Sequence, residues 1–217
     1  MDTDGLIAGT DGRIRCWWPG TDPLYVEYHD HEWGRPVADD RRLFEKLCLE
    51  GFQSGLSWLT ILRKRPGFRT AFAGFEPSAI AEFGPDDVDR LMADADIVRN
   101  RAKILATINN ARRYPELVAD AGSLAAHLWS FEPDPETRPT ALDHATLLGM
   151  GVSNESKALS TDLRRRGWAF VGPTTAYAAM QAMGIVNDHL TGCWVRSVVE
   201  EARAAFQRPR RRIGHPS

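Results

Sequence analysis

The sequence predicts a single all-α domain. Three observations lead there: apolar residues recur at helical spacing through most of the chain, several of those stretches carry helix start or stop signals, and no alternating run is long enough to require a strand. With 217 residues and 43% apolar content the chain can fill one core, and neither an internal repeat nor a long linker divides it.

In chain order, the acidic, glycine-rich residues 1–12 read as a disordered N-terminus, and the folded domain is placed at 13–205. DDRRLFEKLCLEGF (39–52) opens acidic and carries an apolar stripe at Leu43, Phe44, Leu47 and Cys48. A second stripe begins at Ile97 and runs through Ile104, Leu105, Ile108 and Ala111. NESKALSTDLRRRG (154–167) has an N-cap signal at Asn154 and a stop at Gly167. PTTAYAAMQAMG (173–184) is bounded by Pro173 and Gly184. The basic residues 206–217 read as a disordered tail.

The start lacks the basic-then-apolar order of a secretory signal, and the apolar runs are too short and too charged to span a membrane. Cys16, Cys48 and Cys193 are an odd, sparse set, which argues against a disulfide framework and for a reducing, cytoplasmic setting. A net charge of −2 does not by itself point to nucleic acid. The basic runs at 63–65, 99–103, 164–166 and 208–212 read singly as solvated helix faces or a loose end.

Four residues have the chemistry of a metal centre. His189 and Cys193 would face the same way on a helix or meet across a helix end, and Cys16 and His29 could complete the set. Two thiolates and two imidazoles suit tetrahedral Zn2+, with no open position for water, so the site would be structural. Spacing also admits His31 in place of His29, and it admits four unrelated residues with Cys193 as a small core hydrophobe. Cys48 sits in an apolar stripe and reads as core.

The stretch from Phe170 to Ala176, through Gly172, Thr174 and Thr175, has the form of a helix–hairpin–helix turn. Its following helix would offer free N–H groups to a phosphate, although an ordinary helix connection has the same look. The first third of the chain is rich in rings: Trp17, Trp18, Tyr25, Tyr28, Trp33 and Trp58. Among them Glu50 lies at the edge of an apolar arc, where a charge is costly unless paired or used. It is either a capping residue before Gly51 or the floor of an aromatic slot, and the number of rings favours the slot. GFQSGLSW (51–58) reads as a polar loop presenting Gln53 and Leu56 beside that slot, suited to fill the gap left by a rotated nucleotide.

DPLYVEYHDHEWGRP, LFEKLCLEGFQSGLSW and RGWAFVGPTTAYAAMQAMGIVNDHLTGC together closely resemble the 3-methyladenine DNA glycosylase I family, a constitutive bacterial branch of the helix–hairpin–helix glycosylases. The resemblance runs from about Cys16 to about Trp194. It implies a compact helical fold with one zinc ion joining the two chain ends through Cys16, His29, His189 and Cys193, which selects His29 over His31. It implies a base pocket of Trp18, Tyr25, Tyr28, Trp33 and Trp58 with Glu50 as its catalytic-site carboxylate, a recognition residue rather than a general base. DNA contacts fall on Gln53, Leu56, Gly172, Thr174 and Thr175. The implied activity is hydrolytic excision of 3-methyladenine from double-stranded DNA by a monomer without membrane association.

Three departures accompany it. Thr174 stands where related enzymes carry a Schiff-base lysine, so strand cleavage is not expected. Asp188 falls where relatives place a catalytic aspartate, but its position beside His189 suggests support of the metal site or a turn. Lys157 replaces an acidic residue of the family pattern, with no predicted consequence. The alternative function is a zinc-stapled protein that binds alkylated or distorted DNA without cutting it; a zinc hydrolase would need an open metal position.

Overall fold

The computed structural model describes residues 5–211. Its helices are α1 (Pro23–His31), α2 (Asp40–Gln53), α3 (Trp58–Ala71), α4 (Pro77–Ala81), α5 (Pro85–Ala93), α6 (Arg101–Ala121), α7 (Leu124–Trp129), α8 (His144–Leu148), α9 (Asn154–Arg165), α10 (Pro173–Ala182) and α11 (Trp194–Ala205). A two-stranded antiparallel sheet, β1 (Leu6–Ala8) with β2 (Ile14–Cys16), precedes them. Among the described residues no helix is long and apolar enough to cross a membrane.

α2 is the central element. Ten successive residues, Leu43 to Phe52, are buried, so the helix is enclosed all round by α3, α6, α7 and α10. Enclosure obliges each of its charges to find a partner. Glu45 meets Arg69 at 2.8 Å and Lys46 meets Glu32 at 2.5 Å. Glu50, 5% exposed, has neither a hydrogen bond nor an ion pair among the described residues. On the side toward α3 the core is aromatic, with Phe52 and Phe68 ring centroids 4.6 Å apart and Phe72 stacked on Phe75.

The four helices expected from periodicity are α2, α6, α9 and α10, with shifted ends. The cap of α9 is Ser153, not Asn154: the Ser156 N–H donates to Ser153 Oγ, and the Ser153 N–H donates back to Ser156 Oγ. Ile97 is buried but lies in the turn before α6, which starts after Asn100. Gly184 ends the α10 segment at φ +74°, and a Cβ there would stand 2.4 Å from the backbone of Arg35 and Pro36, so glycine is required on both grounds.

Both chain ends make tertiary contacts. Residues 6–16 form a hairpin whose Arg15 is buried between Asp30 and Asp11, both at 2.7 Å. Strands of three residues are too short for alternation to reveal, and a tertiary ion cluster holds them. At the other end Phe206 packs on Trp129, Arg208 pairs with Glu132 at 2.7 Å and Arg211 donates to His127. Residues 1–4 and 212–217, the rest of the two expected disordered segments, lie outside the described residues.

Candidate active site and metal centre

A short loop and three helices assemble the aromatic slot. The α1 cap is Asp22, whose carboxylate accepts the N–H groups of Leu24 and Tyr25, and Pro23 sets the first turn. The spacing of Tyr25, Tyr28 and His29 then puts all three on one side of the helix. Trp18 follows β2, Trp33 follows α1, and Trp58 opens α3. Trp18 meets Tyr25 and Trp33 edge-on, each at 5.0 Å, while Tyr28 tilts against Trp58 at 5.4 Å. These five rings and Glu50 line a cavity of about 210 Å³.

Glu50 titrates abnormally. Burial raises its pKa from 4.5 to about 8, and nearby Lys46 only partly opposes this. Lys46 is engaged elsewhere: its ammonium meets Glu32 and sits 4.7 Å over the Tyr28 ring. Although burial opposes it, the cations of Lys46 and Arg65 hold Glu32 down to about 2. The indole Nε1 of Trp58 is also buried without a partner among the described residues. The cavity therefore presents an unpartnered carboxyl among ring faces, an arrangement suited to a flat, hydrogen-bonding, cation-tolerant ligand.

Gln53 and Leu56 separate. Gln53 is the last residue of α2 and lines the cavity, whereas Leu56 projects from the following turn at 42% exposure. The expected loop thus begins only at Ser54. Lys103 closes the helix end by donating to the carbonyls of Phe52 and Ser54 at 2.8 and 2.5 Å, and Gly55 turns at φ +80°. Leu147 of α8 and Ala178 and Gln181 of α10 also face the cavity. No sequence signal marked them, because each arrives from a distant part of the chain.

The hairpin lies between α9 and α10. Gly172 is the α10 cap at φ −61°, and a Cβ there would lie 3.3 Å from Nη2 of the exposed Arg164, so neither backbone nor space demands glycine. The left-handed residue is Phe170, at φ +56°. Asn110, buried in α6, brackets the turn by donating to the Ala169 carbonyl and accepting the Ala169 N–H. Thr174 and Thr175 stand in the first turn of α10, where backbone N–H groups lack intrahelical partners. One helix thus starts at the hairpin and ends as a wall of the cavity. Lys157 lies on the exposed side of α9, and nothing in the structure gives it a function.

Cys16, His29 and Cys193 bring their donor atoms within 4.8 Å of one another, all buried. His29 Nδ1 is braced by Asp30 at 2.7 Å, leaving Nε2 toward Cys193 Sγ at 3.6 Å. The Cys16 thiol beside it pulls Cys193 down to about 4 against burial, while Cys193 and burial together push Cys16 up. His189 lies just outside this group. Its ring centre is 5.0 Å from that of His29, Asn187 holds its Nδ1 at 2.8 Å, and burial lowers its pKa to about 3. His31 is exposed on the opposite side. Cys193 caps α11 and His189 precedes that helix, so the two do not share a helix face.

Asp188 does not support this group. Its fully buried carboxylate accepts from Tyr177 Oη at 2.7 Å, from Gln181 Nε2 at 2.8 Å and from Arg138. The imidazoles are instead oriented by Asp30 and Asn187, which sequence reasoning passed over.

The methyladenine glycosylase family model matches residues 18–197. DNA-3-methyladenine glycosylase 1 of Escherichia coli (strain K12) is 46% identical over 180 residues, covering 82% of this chain and 95% of that protein. The Haemophilus influenzae DNA-3-methyladenine glycosylase is 43% identical over 180 residues, with 82% and 96% covered. The solved structure of 3-methyladenine DNA glycosylase I from Staphylococcus aureus, which concerns recognition of 3-methyladenine, matches with a TM-score of 0.77 at 37% identity, covering 84% of this chain and 96% of that one.

Proposed function

The chain belongs to the methyladenine glycosylase family, and from that premise we propose that it hydrolytically excises 3-methyladenine from alkylated double-stranded DNA. One observation carries the reading: a buried carboxyl without a partner among the described residues, in an aromatic cavity sized for a single base.

Methylation at N3 makes the attached adenine cationic, so it departs as a neutral base and needs little acid catalysis. The work left to the protein is extrusion, recognition and stabilisation of an electron-poor sugar. Leu56 fills the gap in the stack, and the α10 start, through Gly172, Thr174 and Thr175, holds a backbone phosphate. Trp18, Tyr25, Tyr28, Trp33 and Trp58 offer ring faces to the cation. Gln53 closes the cavity mouth, and Glu50 accepts from the donor edge of the base. Water then adds to C1′ as the bond to N9 breaks, the electron pair leaves with the base, and the water's proton passes to solvent. With threonine at position 174 no Schiff base forms, so the strand stays intact.

Cys16, His29 and Cys193, with His189 as the fourth ligand, would hold Zn2+. Bound there, zinc supplies a structural tie between the hairpin and the α11 start and takes no part in the reaction. The protein acts as a monomer in the cytoplasm.

Incubation with methylated duplex DNA, followed by identification of the free bases, tests the reading. Release of 3-methyladenine supports it. Binding without release transfers the argument to a non-catalytic DNA-binding role.

A further inference from the structure

We propose that Gln181 is a specificity-determining residue of the base pocket, oriented by the buried Asp188 behind it; this rests on the glycosylase reading above. The reasoning starts from the amide. Gln181 lines the cavity, and its Nε2 donates to Asp188 Oδ2 at 2.8 Å. A carboxylate accepts and does not donate, so the amide nitrogen must face Asp188. Asp188 cannot swing away, because Tyr177 donates to the same oxygen at 2.7 Å and Arg138 donates to the other. The Gln181 carbonyl oxygen is left with no hydrogen-bond donor among the described residues, on a side chain that borders the cavity.

Depth selects what that oxygen meets. Gln181 is eight residues beyond Pro173 on α10, about 12 Å further from the phosphate-facing hairpin at 1.5 Å per residue. That is the level of the base, not of the sugar or phosphate. The exocyclic amino group of adenine has two hydrogens. Glu50, on α2, can take one, and Gln181, on α10, takes the other. A guanine at the same place offers a carbonyl oxygen, which opposes an acceptor instead of satisfying it. A fixed acceptor thus discriminates by leaving the wrong base unpaired. Asp188 thus acts one residue removed from the base, as a positioning group.

The test uses Gln181→Met, close in length and without an acceptor, and Asp188→Asn, which allows the Gln181 amide to turn over. Single-turnover excision of 3-methyladenine and of 3-methylguanine from otherwise identical duplexes is measured for each variant and for the unaltered chain. The expected result is roughly a ten-fold loss on 3-methyladenine for Gln181→Met, with 3-methylguanine unchanged or faster, so that the preference collapses. Asp188→Asn should move the preference in the same direction. Equal loss on both bases, or no change in the ratio, overturns the proposal. A shift with Gln181→Met but none with Asp188→Asn overturns the orienting role. If Asp188→Asn does not fold, tryptophan-fluorescence titration of Gln181→Met with free 3-methyladenine and free 3-methylguanine supplies the same ratio without turnover. Failure of the unaltered chain to release any base overturns the glycosylase reading instead, a distinguishable outcome.

Discussion

Replacing Glu50 by glutamine should stabilise the empty protein while impairing its function. Folding raises the carboxyl pKa from 4.5 to about 8. A raised acid holds its proton more tightly when folded. Below pH 4.5 both states are protonated and folding carries no penalty from this group. Between 4.5 and 8 the unfolded chain releases a proton that the folded chain keeps, so stability falls as pH rises, and above 8 the loss is complete. At about 1.36 kcal/mol per pH unit the loss is about 3 kcal/mol at pH 7 and approaches about 5 kcal/mol above pH 8. The E50Q protein lacks this ionisation. Urea unfolding of both proteins from pH 5 to pH 9 isolates it, since other titrating groups cancel in the difference. The stability gap should widen steadily up to pH 8 in favour of E50Q, while excision drops by roughly 10- to 100-fold as a charged hydrogen bond to the base is lost. A gap that does not depend on pH would refute the claim that Glu50 is buried without a partner.

Elemental analysis of the purified chain should find one zinc per molecule, and Cys193→Ser should lose it and lower Tm, with the first protease cuts falling in residues 5–16; a full metal content in that variant removes Cys193 from the ligands. Leu56→Ala should weaken binding to duplex containing an abasic site and leave binding of free 3-methyladenine intact, because Leu56 is outside the cavity; at 42% exposure its removal should change stability by less than about 0.5 kcal/mol. Deleting residues 208–217 should weaken DNA binding mainly at low salt and leave the single-turnover rate at saturating enzyme unchanged. A slower chemical step in that deletion would contradict a purely electrostatic role.

Much of this molecule is written locally. Apolar spacing and capping residues mark α2, α6, α9 and α10, because periodicity and capping act within a turn or two of the chain. The ring content of the first third and the scarcity of cysteine are compositional, and they suffice to suggest an aromatic slot and a Cys/His centre. Family resemblance selects His29 over His31, and in the structure His29 turns toward Cys193 while His31 is exposed.

Other features depend on residues far apart in the chain. Lys46 lies one turn before Glu50 on the same helix, and from spacing alone the two should pair. Packing of α1 and α3 against α2 brings Glu32 to Lys46 instead, leaving Glu50 without a counter-charge. Asn110 reaches the hairpin across 59 residues, and Leu147 reaches the cavity from a five-residue helix. Asp188, adjacent to a candidate ligand, turns away from it to clasp Arg138, Tyr177 and Gln181. Sequence alone therefore marked four of the eleven helices and the side chains whose chemistry suits a site. The tertiary structure decided which charges remain unpaired, because a buried charge is governed by whichever partner the packing delivers.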